Sequence, residues 1–436
     1  MAKYLVIGTG LQGTAIAGHL LQSENINKVG VLDSNWKKAA DLRDKLNDSR
    51  VEAIYADATD YKQMQAAMSE FDVAIGAASY KLNYELTKTA INQGVHFCDL
   101  GGNNAIVDKQ FSLNEKAKAK GVKIIPDQGV APGAVSILAA DGWEEIKKNF
   151  NSDYYPDYIY QRVGGLDLYP RGFLKYGIVF SATGLINEYR EDTEIVKKGK
   201  KVLVDSLTEI EKIEFPEPFG VMEAAYTSGG SSTLTRTLEG IVKEINYKTI
   251  RYPEHFGFMR MMLEKGFFEY EKISDNGIII PKEVVNARLS QEEITKYNQA
   301  LNELGLLNSK NLNLQKDLTI RGLTEYIFNT NLPKVEKDVI LLKVIVGKNP
   351  DENFKGMEVE YTLIDYFNKD TGHTAMQRTT GYSASIVAQM MGNNVIKDNG
   401  ILYSEKSIPA DKFIEEWHKS GIKIKKKVTF EGKRIV

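Results

Sequence analysis

The stretch Gly8-Thr9-Gly10-Leu11-Gln12-Gly13, GTGLQG, decides the fold of this 436-residue chain because of what stands on either side of it. Before it, KYLVIG from Lys3 is an apolar run of strand length; after it, TAIAGHLL from Thr14 reads as a helix. A glycine turn between strand and helix is the phosphate-binding turn of a Rossmann domain. Gly8 makes the tight turn, Gly10 lets a pyrophosphate approach the backbone, and Gly13 lets helix pack on strand, with Leu11 and Gln12 carried in the same loop. Twenty residues beyond Gly13 the second strand ends in Asp33, where a carboxylate accepts hydrogen bonds from the adenosine ribose and repels a 2'-phosphate. Ser34, Asn35 and Trp36 include no arginine, so NAD is expected in preference to NADP, although Lys37 and Lys38 follow.

Outward from the fingerprint, KVGVLD near Lys28, VEAIYAD near Val51, DVAIGAA near Asp72, HFCDLG near His96 and VKIIPD near Val122 alternate with helix-like segments. That alternation predicts an α/β domain with a doubly wound parallel sheet. At the ends of its strands, Asp57 stands either near the adenine amino group or as a helix cap, and Ala77 and Ala78 suit close passage of the cofactor or simple packing under a helix. Beyond Ala131 the periodicity changes. DYIYQRVGGL from Asp157, KVLVD from Lys201, EKIEFP from Glu211, VMEAAYTS from Val221, KTIRY from Lys248, DVILLKVIVG from Asp338 and MEVEYTLIDYF from Met357 predict a second, α+β domain with a mainly antiparallel sheet. The capping box Ser290 to Glu293 predicts a helix in a surface insertion.

Composition excludes several classes of function. A formal net charge of -2 with 26% charged residues gives no basic field for nucleic acid, and no apolar run approaches the length of a membrane-spanning helix. The N-terminus lacks the apolar core of a secretory signal, and the single cysteine, Cys98, fits a reducing, cytoplasmic compartment. No residues are assigned to a metal.

CDLGGNN from Cys98 and PDQGVAPG from Pro126 resemble the saccharopine dehydrogenase family, in particular its saccharopine reductase and lysine 6-dehydrogenase members. VGGL from Val163, VFSATGLINEY from Val179, SLTEIE from Ser206, GGSSTL from Gly229, TIRYPEH from Thr249 and TGHTAMQRTTGYSASIVA from Thr371 extend the resemblance over all but about 266–337. It implies a dinucleotide-binding domain made of residues 1–130 and 372–436, and a substrate-binding and dimerisation domain of residues 131–371 that joins two copies. It also implies hydride transfer between a nicotinamide and a carbon bearing an amine. Saccharopine-forming members commonly carry an aspartate where this chain has Ala131, and Gln128 replaces the usual cysteine after PD, so the chain looks more like the lysine 6-dehydrogenase branch. Reductive condensation to saccharopine or carboxynorspermidine is the alternative within the family; a non-catalytic NAD-binding protein is the alternative outside it.

Oxidising an amine requires a neutral nitrogen, whereas a lysine ammonium ordinarily titrates at about 10.4, so the site needs a proton acceptor. Asp99 and Asp127, at strand ends on the ligand-binding edge, stand as base, ammonium anchor or structural cap. His255 is the imidazole candidate, with packing as its alternative. Arg251 suits a substrate carboxylate or a neighbouring acid such as Glu239, and Ser231, Ser232 and Thr233 offer hydroxyls and backbone N–H groups for an amino acid. Arg378 and Thr379 are expected toward the cofactor if the last long helix returns to the first domain.

Overall fold

A computed structural model of the chain describes residues 1–150, 154–269, 319–350 and 356–430. The helix expected after Ser290 lies outside the described residues. Strands β1 (Ala2–Ile7), β2 (Ile26–Asp33), β3 (Val51–Tyr55), β4 (Val73–Gly76), β5 (His96–Asp99) and β6 (Lys123–Ile125) form the expected parallel sheet. The inner strands β1, β4, β5 and β6 are short runs buried on nearly every position, as parallel strands covered by helices on both sides require, whereas the edge strand β3 buries only Val51. Ile7, Gly76 and Asp99 lie side by side in register, so the loops that follow them open at one edge. Reversal of strand order around β1 makes that edge the place where a ligand enters.

The second sheet contains β7 (Tyr158–Asp167), β8 (Thr193–Lys197), β9 (Lys200–Val204), β10 (Glu211–Phe215), β11 (Gly220–Tyr226), β12 (Glu244–Arg251), β13 (Asp338–Lys348) and β14 (Met357–Tyr366). Its pairings are antiparallel except for β12 on β7, as the alternating sequence predicts. β8 was not anticipated: TEIVK is too short to show its alternation before the turn to β9.

Two short strands divide the C-terminal segment. β15 (Gly400–Ile401) adds to β6 as a seventh parallel strand, whereas β16 (Lys425–Phe430) pairs antiparallel with β14 in the second sheet. Residues 372–430, the described part of the segment expected to pack back on the first domain, thus contribute a strand to each sheet. Helix Ser383–Gly392 packs against β4, β5 and helix Leu11–Leu20, and buries Ile386, Val387 and Met391. Each such side chain contributes about 1.5–3 kcal/mol relative to exposure. One apolar core runs from Tyr4 and Val6 through helix Ala134–Phe150 to Leu342 and Tyr361. The two sheets are thus joined by shared packing.

Candidate active site

On the first-domain side, Gly10 is the N-cap of helix Leu11–Leu20 and has open space where a side chain would stand. A Cβ on Gly13 would lie 1.8 Å from the Gly8 carbonyl oxygen, and Gly8, at φ +101°, faces the Ala77 carbonyl. Only glycine meets both demands. The first-turn N–H groups of Leu11, Gln12 and Gly13 point out of the helix start without intrahelical partners, as an anion requires. These residues fit a dinucleotide's phosphates.

Asp33 closes β2 with its carboxylate accepting from Thr9 N at 3.1 Å, Thr9 Oγ1 at 2.8 Å and Asn35 N at 2.9 Å. Partial desolvation pushes its pKa up, but these hydrogen bonds outweigh it and hold the group below the usual carboxylate range. It carries full negative charge at neutral pH. Asp57 accepts from Thr59 N and Thr59 Oγ1 in an exposed turn, and the cap of helix Tyr61–Met68 is Asp60. Its nearest partners thus belong to a turn rather than a helix start.

Between the two sheets lies a cleft of about 570 Å³. Gln12, Ala78, Tyr80, Leu100 to Asn104 and Gly129 to Pro132 line one wall. Val163 and Gly165 of β7, Thr249 and Arg251 of β12, and Asn187 and Glu188 of helix Ala182–Arg190 line the other. Tyr80 and Asn187 meet across it, the amide donating to the phenol oxygen at 3.3 Å. Gly133, at φ +120°, lets the VAPG turn close, since a Cβ there would lie 2.6 Å from the Gly129 carbonyl oxygen.

Arg251 is buried, with Nε donating to the Tyr189 hydroxyl at 2.9 Å and Nη1 to the Ile250 carbonyl at 3.0 Å. Nη2 stands 3.9 Å from Glu188 Oε2, a loose approach that leaves both groups open to the cleft. Glu239, the acid considered for Arg251, accepts instead from Lys201 N. Glu188 is the residue that sequence reasoning missed, for a glutamate in the last turn of a short helix carries no signal that distinguishes it from a solvent-facing one. Desolvation pushes its carboxyl up to about 7, with Arg251 pulling the other way.

The three expected acid–base residues lie behind the cleft surface. Asp99 is fully buried; it accepts from Gly101 N at 2.8 Å and Gln110 Nε2 at 2.7 Å, so it shapes the DLGG turn. Asp127 follows β6 at φ +63° and accepts from the Ser232 hydroxyl. Burial, then the Asp99 charge, pushes its carboxyl up to about 7. His255 is packed against Tyr176, Tyr189 and Phe256, with Nε2 2.9 Å from the Tyr189 hydroxyl and Nδ1 3.1 Å from the Leu174 carbonyl. Burial and then Arg251 lower it to about 3, so it is neutral across the physiological range. Its contact with the site runs through Tyr189 and Arg251.

Ser231, Ser232 and Thr233 are likewise held inside the protein, donating to Gln161, Asp127 and Glu405 respectively. The cleft itself is lined by Ser228, Gly229 and Gly230 just before them. Arg378 pairs with Asp365 at 2.9 and 3.1 Å, and Thr379 donates back to the Ala375 carbonyl, whereas Met376 and Thr380 line the cleft. A π-helical turn, Gln377–Tyr382, sets which of these residues faces it. Cys98 is buried and its thiol raised by burial, as a packed hydrophobe would be. Among the described residues no helix is long and apolar enough to cross a membrane, and no acid, histidine or cysteine cluster has the form of a metal site.

Residues 4–125 match the family model described as saccharopine dehydrogenase NADP binding domain, and residues 129–422 match the saccharopine dehydrogenase C-terminal domain. A saccharopine dehydrogenase [NADP(+), L-glutamate-forming] of Schizosaccharomyces pombe is 24% identical over 463 residues, covering 99% of this chain and 100% of that protein. Among solved structures, the apo saccharopine dehydrogenase (L-Glu forming) of Saccharomyces cerevisiae superposes with a TM-score of 0.78 at 18% identity, covering 98% of this chain and 100% of that one. The homospermidine synthase of Legionella pneumophila in complex with NAD superposes at 0.63 with 13% identity, covering 98% and 91%. The two structures share this chain's fold.

Proposed function

Because this chain belongs to the saccharopine dehydrogenase family, we propose that it is an NAD-dependent oxidoreductase acting on the C–N bond of an amino acid or related amine, in the manner of a lysine 6-dehydrogenase. The observation that carries this reading is a single cleft with the dinucleotide turn's Gln12 and Ala78 on one wall and Arg251 and Glu188 on the other. Gly8 to Gly13 would hold the pyrophosphate and Asp33 the adenosine ribose, and a nicotinamide bound there supplies a two-electron hydride acceptor or donor. Arg251 is placed to pair with the substrate carboxylate, and Tyr189 fixes the plane of its guanidinium. The apolar surfaces of Val163, Val130 and Met376 exclude water from the aliphatic arm between carboxylate and amine.

NAD is preferred in this reading because Asp33 is ionised where a 2'-phosphate would sit, with no arginine in the three residues that follow. The Schizosaccharomyces pombe relative carries NADP(+) in its name. Titration with both reduced cofactors decides the matter: tighter NADPH binding overturns the preference, and Asp33→Ala is expected to narrow the gap by weakening NADH about tenfold, the worth of a charge-assisted hydrogen bond.

Formation of reduced cofactor from L-lysine and NAD tests the reaction. Silence with lysine, combined with cofactor oxidation when a keto acid and an amino acid are supplied together, would assign the chain to reductive condensation, a reading favoured by the full-length similarity to the L-glutamate-forming relative. The proposal includes a homodimer formed through the second sheet and a cytoplasmic location.

A further inference from the structure

The cleft contains a carboxylate that the fold does not use. The Glu188 carboxylate accepts no hydrogen bond from any described residue, its backbone carbonyl alone accepting from Ser228 N, although its neighbours Asn187 and Tyr189 are both engaged through their side chains. Its nearest cation, Arg251 Nη2, stands 3.9 Å away, beyond hydrogen-bonding distance, because Tyr189 and the Ile250 carbonyl direct the guanidinium elsewhere. About a third of the Glu188 side chain is open, and it opens into the cleft. An acid held only by a loose pair with a buried arginine costs the folded state something, which a structural role would have removed by a close, hydrogen-bonded ion pair.

We propose, on the reading of this protein as an amine oxidoreductase, that Glu188 is the catalytic residue that receives the proton of the substrate's amine, while Arg251 receives the carboxylate of the same molecule. A ligand with both groups would separate the loose Glu188–Arg251 pair and satisfy each half. In oxidation, the ammonium N–H bond breaks and its proton passes to a Glu188 carboxylate oxygen. The nitrogen lone pair then forms the C=N bond as the adjacent C–H bond breaks, its hydrogen leaving with two electrons to the nicotinamide. Carbon is oxidised, the cofactor is reduced, and the protonated Glu188 passes its proton to water or to the amine that leaves on hydrolysis.

Glu191, the other acid on this wall, is less suited because Arg321 and Arg190 offset its charge. Groups facing Glu188 are Arg251 and Tyr247 of β12, Tyr176 from the loop before its helix, Tyr189 and Glu191 beside it, and Tyr80 across the cleft. Burial raises Tyr176, Tyr189 and Tyr247, and Arg251 is the charge that opposes desolvation of Glu188. Since the group must be ionised to accept a proton, the oxidative rate should rise with pH through about 7 and then level.

Glu188→Gln keeps the shape and removes the base. Its kcat for amine oxidation should fall about 100-fold or more, with the limb near 7 gone and cofactor affinity unchanged. Glu188→Asp should retain a fraction of the rate and its pH limb, and Glu188→Ala should be accelerated by added formate. Retention of rate and pH limb in the glutamine variant overturns the proposal, as does Glu188→Ala that formate leaves unaffected. Failure of the wild-type protein to turn over any amine, or any amine with a keto acid, overturns the amine reading itself and this assignment with it.

Discussion

The two walls of the cleft are built by opposite means. The dinucleotide turn on the cofactor wall is a contiguous segment whose requirements are met by backbone: Gly8, Gly10 and Gly13 remove side chains where carbonyls or phosphates must approach. The opposite wall takes Glu188 from a helix, Arg251 from the end of a strand more than sixty residues later, and Val163 and Gly165 from a strand before both. The first leaves no room for a Cβ at Gly8 or Gly13; the second depends on charge and distance. Substitution should therefore act on binding and fold at one wall, and on recognition and pH dependence at the other.

The sharpest contrast is at Gly13. Gly13→Ala would place a methyl group 1.8 Å from the Gly8 carbonyl oxygen, so the turn must open. Cofactor affinity should fall about 100-fold or more, roughly 2.7 kcal/mol, with a lower thermal midpoint. Unaltered NADH titration in a folded alanine variant would show that this turn does not hold the phosphates.

Arg251→Met should raise KM for a carboxylated amine about 10- to 100-fold, the range of a lost charge-assisted pair, while leaving the decarboxylated analogue nearly unchanged. Tyr189→Phe removes only one hydrogen bond to the guanidinium and should do far less. Equal losses for the two amines would remove Arg251 from carboxylate recognition and bring the two walls closer in kind.

A smaller effect is expected behind the walls. Asp127 is buried with its carboxyl raised to about 7 against a usual 3.8. The folded protein thus keeps a proton that the unfolded chain releases, and stability falls as pH rises between those values. Asp127→Asn removes that loss, so its thermal midpoint should exceed the wild type's by about 2–4 °C at pH 8 and converge with it at pH 4. Melting curves that differ equally at both pH values would show that Asp127 is ionised without penalty. Loss of turnover in the same variant, with Glu188→Gln still active, would return the proton-accepting role to Asp127.

The parallel sheet was legible because each of its strands is a short apolar run and the fingerprint joins two of them within a few residues. The second sheet was legible from alternation over long strands such as Asp338–Lys348 and lost at the short Thr193–Lys197, as the parallel sheet was at its two-residue strand Gly400–Ile401. Among candidate site residues, Arg251 reached the cleft because β12 ends at it. Asp99, Asp127 and His255 have the right chemistry and strand-end or post-strand positions, but burial, which sequence position does not report, put them behind the surface. The π-helical turn had the same kind of effect: a shift from 3.6-residue spacing sent Arg378 to Asp365 and Thr380 to the cleft.

By itself the sequence determined the presence of a dinucleotide-binding turn and the class of both sheets, since each depends on residues near one another along the chain and on backbone sterics or periodicity. Only the tertiary structure decided that Glu188 faces Arg251, that the GGSSTL hydroxyls are spent on Gln161, Asp127 and Glu405, and that the C-terminal segment serves both sheets. The physical reason is that desolvation and charge pairing are set by what packs against a side chain from elsewhere, and a residue's own neighbours in sequence contribute little to either.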